Sequence, residues 1–281
     1  MVMTPHNKQK ICAALSALLL LLPLSACRGA PPADPPLAAA PGSDPASDTP
    51  QDEPVPEAPE TGVFDISDRT AAHEYHAEDG TLLVRASALY PQLSGTAEAV
   101  RIVNDYYKDA VERHFSHAEF SLAPMADDAR AAGVDGVLLP YTADYRYEVM
   151  ANNGRLLSVM HENSEFTGGL HETPVFSSET FDMRSGGLLT LADLFTVPEE
   201  EYLALFFDAS AEKIAQTPEA YFDITPQLLQ EAFNPSDFYV TDTGLTFYYQ
   251  VYAIAPYATG LSYFTLPFDD IRDMLDPTFI S

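Results

Sequence analysis

The stretch from Asp237 to Phe268, DFYVTDTGLTFYYQVYAIAPYATGLSYFTLPF, constrains the fold of this chain more than any other. Leu245, Phe247, Tyr249 and Val251 alternate with Thr246, Tyr248, Gln250 and Tyr252. That period of two predicts a half-buried strand over Leu245 to Tyr252. The turn Asp242-Thr243-Gly244 sets it off from a shorter strand, Phe238 to Thr241, as hairpin chemistry does. A loop, Ala255 to Gly260, leads to a third strand, Leu261 to Leu266, which Pro267 ends. The rest of the chain has to be organised around these three strands.

Upstream, Phe64 to Tyr90 predicts two or three strands with a hairpin turn at Asp79-Gly80, closed by Pro91. Gly95 to His117 is the strongest helix: Val100, Val103, Tyr107, Ala110 and His114 recur at three- and four-residue spacing, with charged residues on the opposite face. Ala123 to Gly136 reads equally as a helical extension or a loop. Strands return over Tyr141 to Met150 and Arg155 to His161, joined at Asn152-Asn153-Gly154, and again over His171 to Met183. A helical region with breaks at Pro198 and Pro218 runs from Thr190 to about Phe233, and a short terminal helix covers Phe268 to Leu275. The expected class is α+β, with a largely antiparallel sheet, one long helix in the N-terminal half and a helical segment before the last strands. Residues 63–140 form a β-β-α half and residues 141–281 a second half, expected to make one compact unit.

The first 26 residues read as an export signal: Lys8 and Lys10, an apolar run from Ile11, then Leu24-Ser25-Ala26 before Cys27. The apolar stretch is too short to span a bilayer, which takes about 20 residues. Leu24-Ser25-Ala26-Cys27 resembles a bacterial lipobox, which implies cleavage before Cys27 and acylation of its sulfur and of the new N-terminus. The expected location is therefore extracytoplasmic, lipid-anchored to the bacterial cell membrane. Residues 28–62 carry ten prolines, seven acidic residues and no aromatic residue. Such a segment buries too little apolar surface to fold and reads as a tether.

The formal charge is −28. Losing Lys8 and Lys10 with the signal would leave 12 basic against 42 acidic residues, −30. An acidic surface of this size disfavours nucleic acid and favours a cationic partner. The two cysteines are Cys12, inside the signal, and Cys27. The mature domain is thus expected to have no disulfide, thiolate chemistry or cysteine-held metal.

Motifs for catalysis are weak. His161-Glu162-Asn163-Ser164-Glu165 with His171-Glu172 could be read as metal ligands, but a zincin needs a second histidine where Glu165 stands. Ser210-Ala211-Glu212-Lys213 has the Ser-x-x-Lys spacing of penicillin-interacting enzymes without the accompanying Lys-Thr-Gly. No cofactor or metal is expected. Phe247, Tyr249 and Phe264 read as core, whereas Tyr257 stands in a loop, where aromatics serve more often as contacts.

Several segments together resemble one family. They are Tyr145-Arg146-Tyr147-Glu148, Leu156-Leu157-Ser158-Val159, Gly168-Gly169-Leu170-His171, Phe181-Asp182-Met183, Leu189-Thr190-Leu191-Ala192-Asp193-Leu194-Phe195, Phe238-Tyr239-Val240, Gly244-Leu245 and Ile254-Ala255-Pro256-Tyr257-Ala258-Thr259-Gly260. They are similar to the extracytoplasmic domain of RsiV-type anti-sigma factors, which also occurs as the accessory domain of PdaC-type peptidoglycan deacetylases. The resemblance implies binding rather than chemistry, with lysozyme or cell-wall peptidoglycan as partner. No sigma-binding segment, membrane-spanning helix or deacetylase domain is recognisable, so the expectation is a stand-alone lipoprotein. The loops holding Gly168, Gly169, His171, Pro256 and Tyr257 are the expected contact region. The alternative is a cell-wall glycan hydrolase or deacetylase whose acidic site is not recognisable from the sequence.

Overall fold

The structure, a computed structural model, describes residues 63–133 and 138–280. The signal segment, Cys27 and the tether lie outside the described residues. Two long strands open the chain, β1 (Ile66–His76) and β2 (Leu82–Leu93), paired antiparallel across the Asp79-Gly80 turn. Pro91 does not close this section. β2 continues through it to Leu93, because β3 (Tyr141–Asn152) pairs with β2 only as far as Ala88. Beyond that point β2 has a strand on one side only, a position proline tolerates.

The β2–β3 pairing is parallel, and parallel neighbours need a long crossover. It is made by α1 (Glu98–His117), a five-residue π-helical turn at Ala118–Leu122, and α2 (Ala123–Ala131). The ambiguous Ala/Asp-rich segment is thus helical as far as Ala131. Antiparallel pairing carries the sheet onward through β4 (Leu156–Phe166), β5 (Thr173–Asp182) and the two-residue β6 (Gly187–Leu188). The β3–β4 hairpin is fixed by Asn153, whose Oδ1 accepts from the amides of Arg155 and Leu156 at 3.1 and 2.8 Å.

The helical region expected between residues 190 and 233 is broken into pieces. Leu191–Leu194 is a single 3₁₀ turn, capped by reciprocal bonds between Thr190 and Asp193. After it come α3 (Glu199–Gln216) and α4 (Pro226–Ala232). The last strands, β7 (Phe238–Val240), β8 (Gly244–Tyr249) and β9 (Ser262–Pro267), form a separate antiparallel sheet, followed by the short α5 (Phe268–Ile271).

This second sheet accounts for the largest departure from the sequence reading. β8 is buried at all six positions rather than on one face. Its Leu245, Phe247 and Tyr249 face α3 and α4, with the Phe247 ring 4.4 Å from Phe206. Its other face lies on the six-stranded sheet, where Tyr248 Oη and Ser178 Oγ are 3.0 Å apart and the Val240 amide donates to Ser158 Oγ at 3.0 Å. The opposite face of the six-stranded sheet is covered by α1, through Val100, Val103 and Tyr107 against Leu157, Val159 and Phe181. Small hydroxyl residues (Ser158, Ser178 and Thr180) at the sheet-to-sheet contact let the two sheets approach closely. Each finds a partner there, as buried polar groups must.

β8 also ends three residues early. Gln250 leaves the strand and bonds the main chain of β5, its Oε1 accepting from Phe176 N at 3.0 Å and its Nε2 donating to Phe176 O at 2.8 Å. The chain then turns through Tyr252 at φ +70°, the one non-glycine residue with positive φ among the described residues.

Candidate ligand-binding face

Two loops far apart in sequence meet at one end of the sheets. The β4–β5 turn carries Gly168, Gly169, Leu170, His171 and Glu172; the β8–β9 connection carries Tyr252 and the Pro256–Gly260 segment. Gly168 adopts φ +85°, and a Cβ there would meet the Leu138 amide nitrogen at 3.3 Å. The turn so formed presents the His171 ring to Tyr257, stacked at 3.9 Å between centroids and 24° between planes. Tyr257 Oη donates to the Glu172 carbonyl at 3.1 Å, and His171 Nδ1 lies 2.7 Å from the same oxygen. The Glu172 carboxylate in turn accepts from Ser164 Oγ at 2.8 Å. One carbonyl thus holds both rings and ties the loops together.

Around this pair the surface is apolar and open. Leu170 is fully exposed and Tyr252 is 55 % exposed, with its ring 5.5 Å from Tyr257. Gly169 and Pro256 are exposed at the margin. The structure therefore brings His171 and Tyr257 into contact, uses Gly168 to make the turn, and leaves Gly169 and Pro256 on the rim. Sequence reasoning missed Tyr252, because the alternation placed it in a strand. A positive φ at a bulky residue is uncommon and is held only where its surroundings over-determine it.

A second concave region lies between α1 and the polar half of the six-stranded sheet. Along β4 and β5 the face toward α1 changes from Leu157, Val159 and Phe181 to His161, Asn163, Ser177 and Glu179. Glu179 Oε1 accepts from Tyr106 Oη at 2.9 Å. Its Oε2 is 2.7 Å from His161 Nε2, at an angle outside hydrogen-bonding geometry. His161 is buried against the Tyr145 ring, centroids 5.0 Å apart. Burial, and next to it the Glu179 charge, pushes the Tyr106, Tyr107 and Tyr145 phenols well above their ordinary value. Nearby, burial raises the Asp237 carboxyl against the opposing bonds from Gln250 and Asn234.

The residues that suggested catalysis do not converge. Strand alternation sends His161 and Glu162 to opposite faces. Glu165 is held by His117 Nε2 at 3.0 Å, and His171 is stacked on Tyr257. Among the described residues no group of three or more His, Cys, Asp or Glu is placed to hold a metal ion. Ser210 Oγ bonds Phe206 O within α3, while Lys213 Nζ donates to Tyr263 O at 2.7 Å, so the Ser-x-x-Lys pair serves helix packing. Glu165 lies opposite Thr173, six residues from Glu179 along β5. That is about 20 Å of strand, well beyond the roughly 5–10 Å that separates paired glycosidase carboxylates.

The family described as "Protein of unknown function (DUF3298)" matches residues 192–269. That segment holds α3, α4, the second sheet and the Tyr257 loop, but not the His171 loop. Two solved structures are similar over most of the described chain. One is a DUF3298 family member from Bacteroides fragilis, with 20% identity and a TM-score of 0.55, covering 77% of this chain and 95% of that one. The other is a DUF3298 family protein from Pseudomonas aeruginosa, with 16% identity and a TM-score of 0.51, covering 77% and 96%. At these identities the likeness is one of fold. No curated protein matches the chain.

Proposed function

We propose that this chain is a membrane-anchored extracytoplasmic binding module of the RsiV-like kind, which takes a cationic protein such as lysozyme at the face where His171 and Tyr257 stack. Cell-wall peptidoglycan is the other partner the family resemblance implies. The supporting observation is the convergence itself. Two loops separated by 85 positions share one carbonyl acceptor and expose Leu170, His171 and Tyr252 beside the half-buried Tyr257. Aromatic anchors in a compact cluster are the usual energetic centre of a protein interface. The formal charge of −28 would draw in a basic partner and speed encounter, in a salt-dependent way. No helix among the described residues is long and apolar enough to cross a membrane, and anchoring is assigned to acylated Cys27.

Binding of a C-type lysozyme, measured across a salt series by calorimetry, tests this reading. The expected affinity falls as salt rises, and Tyr257→Ala or His171→Ala weakens it at least tenfold, about 1.4 kcal/mol. Absence of binding at low salt, or binding unchanged in both variants, would overturn it. Separately, Cys27→Ala is expected to move the protein from the membrane fraction to the soluble fraction; retention in membranes would remove the lipid anchor from the reading.

A further inference from the structure

Side chains close several of the sheet edges in this molecule. Asn152 bonds both main-chain groups of Phe64, its Oδ1 accepting from the amide at 2.9 Å and its Nδ2 donating to the carbonyl at 2.8 Å. Asn104 does the same for Leu93, at 2.8 and 3.0 Å, and Gln250 for Phe176. On β7, Ser178 Oγ donates to Phe238 O and Ser158 Oγ accepts from Val240 N. On β9, Lys213 Nζ holds the Tyr263 carbonyl and Pro267 ends the strand. These groups stand where a neighbouring strand would, and so blunt edges that could otherwise pair with another chain.

β1 departs from that pattern. It is the outer strand of the six-stranded sheet, with β2 as its neighbour. The Ser94 amide donates to the Asp65 carbonyl at 2.9 Å, so the odd-numbered residues of β1 exchange bonds with β2. The main-chain groups of Asp68, Thr70, Ala72 and Glu74 therefore point away from the sheet. Among the described residues nothing bonds to them. Residues 67–74 are exposed apart from the half-buried Ala71. They include no proline, glycine or lysine, and the register shifts only beyond them, at Tyr75/His76.

We infer that this edge takes up an extended basic peptide segment as an added strand. In such pairing the main-chain bonds supply affinity and the side chains selectivity. Asp68 and Glu74 lie six residues apart on one face of β1. Asp65, Glu78 and Asp79 flank them, against the basic Arg69 and the Arg85 that pairs with Glu74. A strand with basic residues opposite Asp68 and Glu74 meets opposite charge at both ends of the open run. A second copy of this chain would bring the same formal charge of −28, and pairing about a two-fold axis at Ala71 would set Asp68 against Glu74. Residues 28–62 are a poor source of the strand, since no more than four in succession are free of proline and they too are acidic. Proline has no amide hydrogen to give to a ladder. The inference uses neither His171 nor Tyr257 and rests on no part of the binding face proposed above.

The test uses the full chain in detergent and, as probe, a blocked octapeptide alternating lysine and valine, read by calorimetry and by amide hydrogen exchange. The expected result is saturable binding that weakens with salt, with the Thr70 and Ala72 amides protected at least tenfold in the complex. The same peptide N-methylated at every lysine, or with glutamate in place of lysine, should bind at least tenfold more weakly. Thr70→Pro removes an outward amide and leaves the bonds to β2 in place. It should also weaken binding at least tenfold, with a thermal melt confirming that it folds. Should that variant not fold, Asp68→Asn combined with Glu74→Gln carries the test, with at least a fivefold loss expected. His171→Ala should leave binding within twofold, which separates the edge from the loop face. No binding at millimolar peptide in low salt would overturn the inference. So would binding that N-methylation leaves unchanged, which is charge attraction without a ladder. Self-association of the chain that Thr70→Pro abolishes would also overturn it, by giving the edge to a second copy.

Discussion

Gln250 shows how much one side chain settles here. Its amide bonds Phe176 N and O like a neighbouring strand and also donates to Asp237 Oδ2 at 2.9 Å. The sequence placed it on the open face of a strand, because alternation cannot say what lies opposite. Replacing it with Ala leaves three partly buried partners unmatched, which costs about 2 kcal/mol. Urea denaturation of Gln250→Ala checks this, and a loss under about 0.5 kcal/mol would mean that water replaces the clamp. His114 offers a second test at the same scale. Burial holds its imidazole below the ordinary value of 6.5, outweighing the Ser87 and Ala143 carbonyls and the carboxylates of Asp144 and Glu165. The unfolded chain therefore binds the proton more readily, so stability is intact above about pH 6.5 and is lost as pH falls below it. Between pH ~7.5 and ~5.5 the denaturation midpoint should fall less in His114→Gln than in the parent; equal slopes would remove His114 as the cause.

Among the elements, α1 was the most legible and β8 the least. Three- and four-residue spacing of Val100, Val103 and Tyr107 gave the helix and its buried face, since a helix on a sheet needs one apolar stripe. β8 has two apolar neighbours, the helices on one side and the larger sheet on the other, and its Thr246 and Tyr248 are buried through hydrogen bonds to Thr265 and Ser178. Polar residues with partners can be interior, and the sequence shows the residue but not the partner. The β5–β6 turn supplies the element-level prediction. Gly186 has φ +76°, and a Cβ there would lie 3.0 Å from Ala99 Cα and Ile102 Cβ on α1. Gly186→Ala combines backbone strain with a clash against a rigid helix and should cost about 2 kcal/mol or more, read as a lowered melting temperature. A neutral result would show that α1 can shift away.

For the whole molecule, charge is the governing quantity. A formal charge of −28 opposes compaction through self-repulsion. Raising NaCl from about 20 mM to about 500 mM shortens the screening length from roughly 20 Å to under 5 Å and should raise the melting temperature, even as it weakens binding to a basic partner. A melting temperature that falls with salt would show that the eight arginine and lysine ion pairs found among the described residues outweigh the repulsion. Most of those pairs are exposed and individually worth little.

The sequence by itself determined the α+β class, the long helix, the last three strands and the hairpin at Asn153, because each depends on local periodicity or turn chemistry. It also singled out Tyr257, as an aromatic residue in a loop, while His171 came in through the family resemblance of Gly168-Gly169-Leu170-His171. The tertiary structure alone decided that these two rings stack, that the last strands form a second sheet buried on both faces, and that Tyr106, His161 and Glu179 meet beneath α1. Those outcomes depend on which surfaces face each other across large sequence separations. A one-dimensional pattern records the period of an element but not its partner.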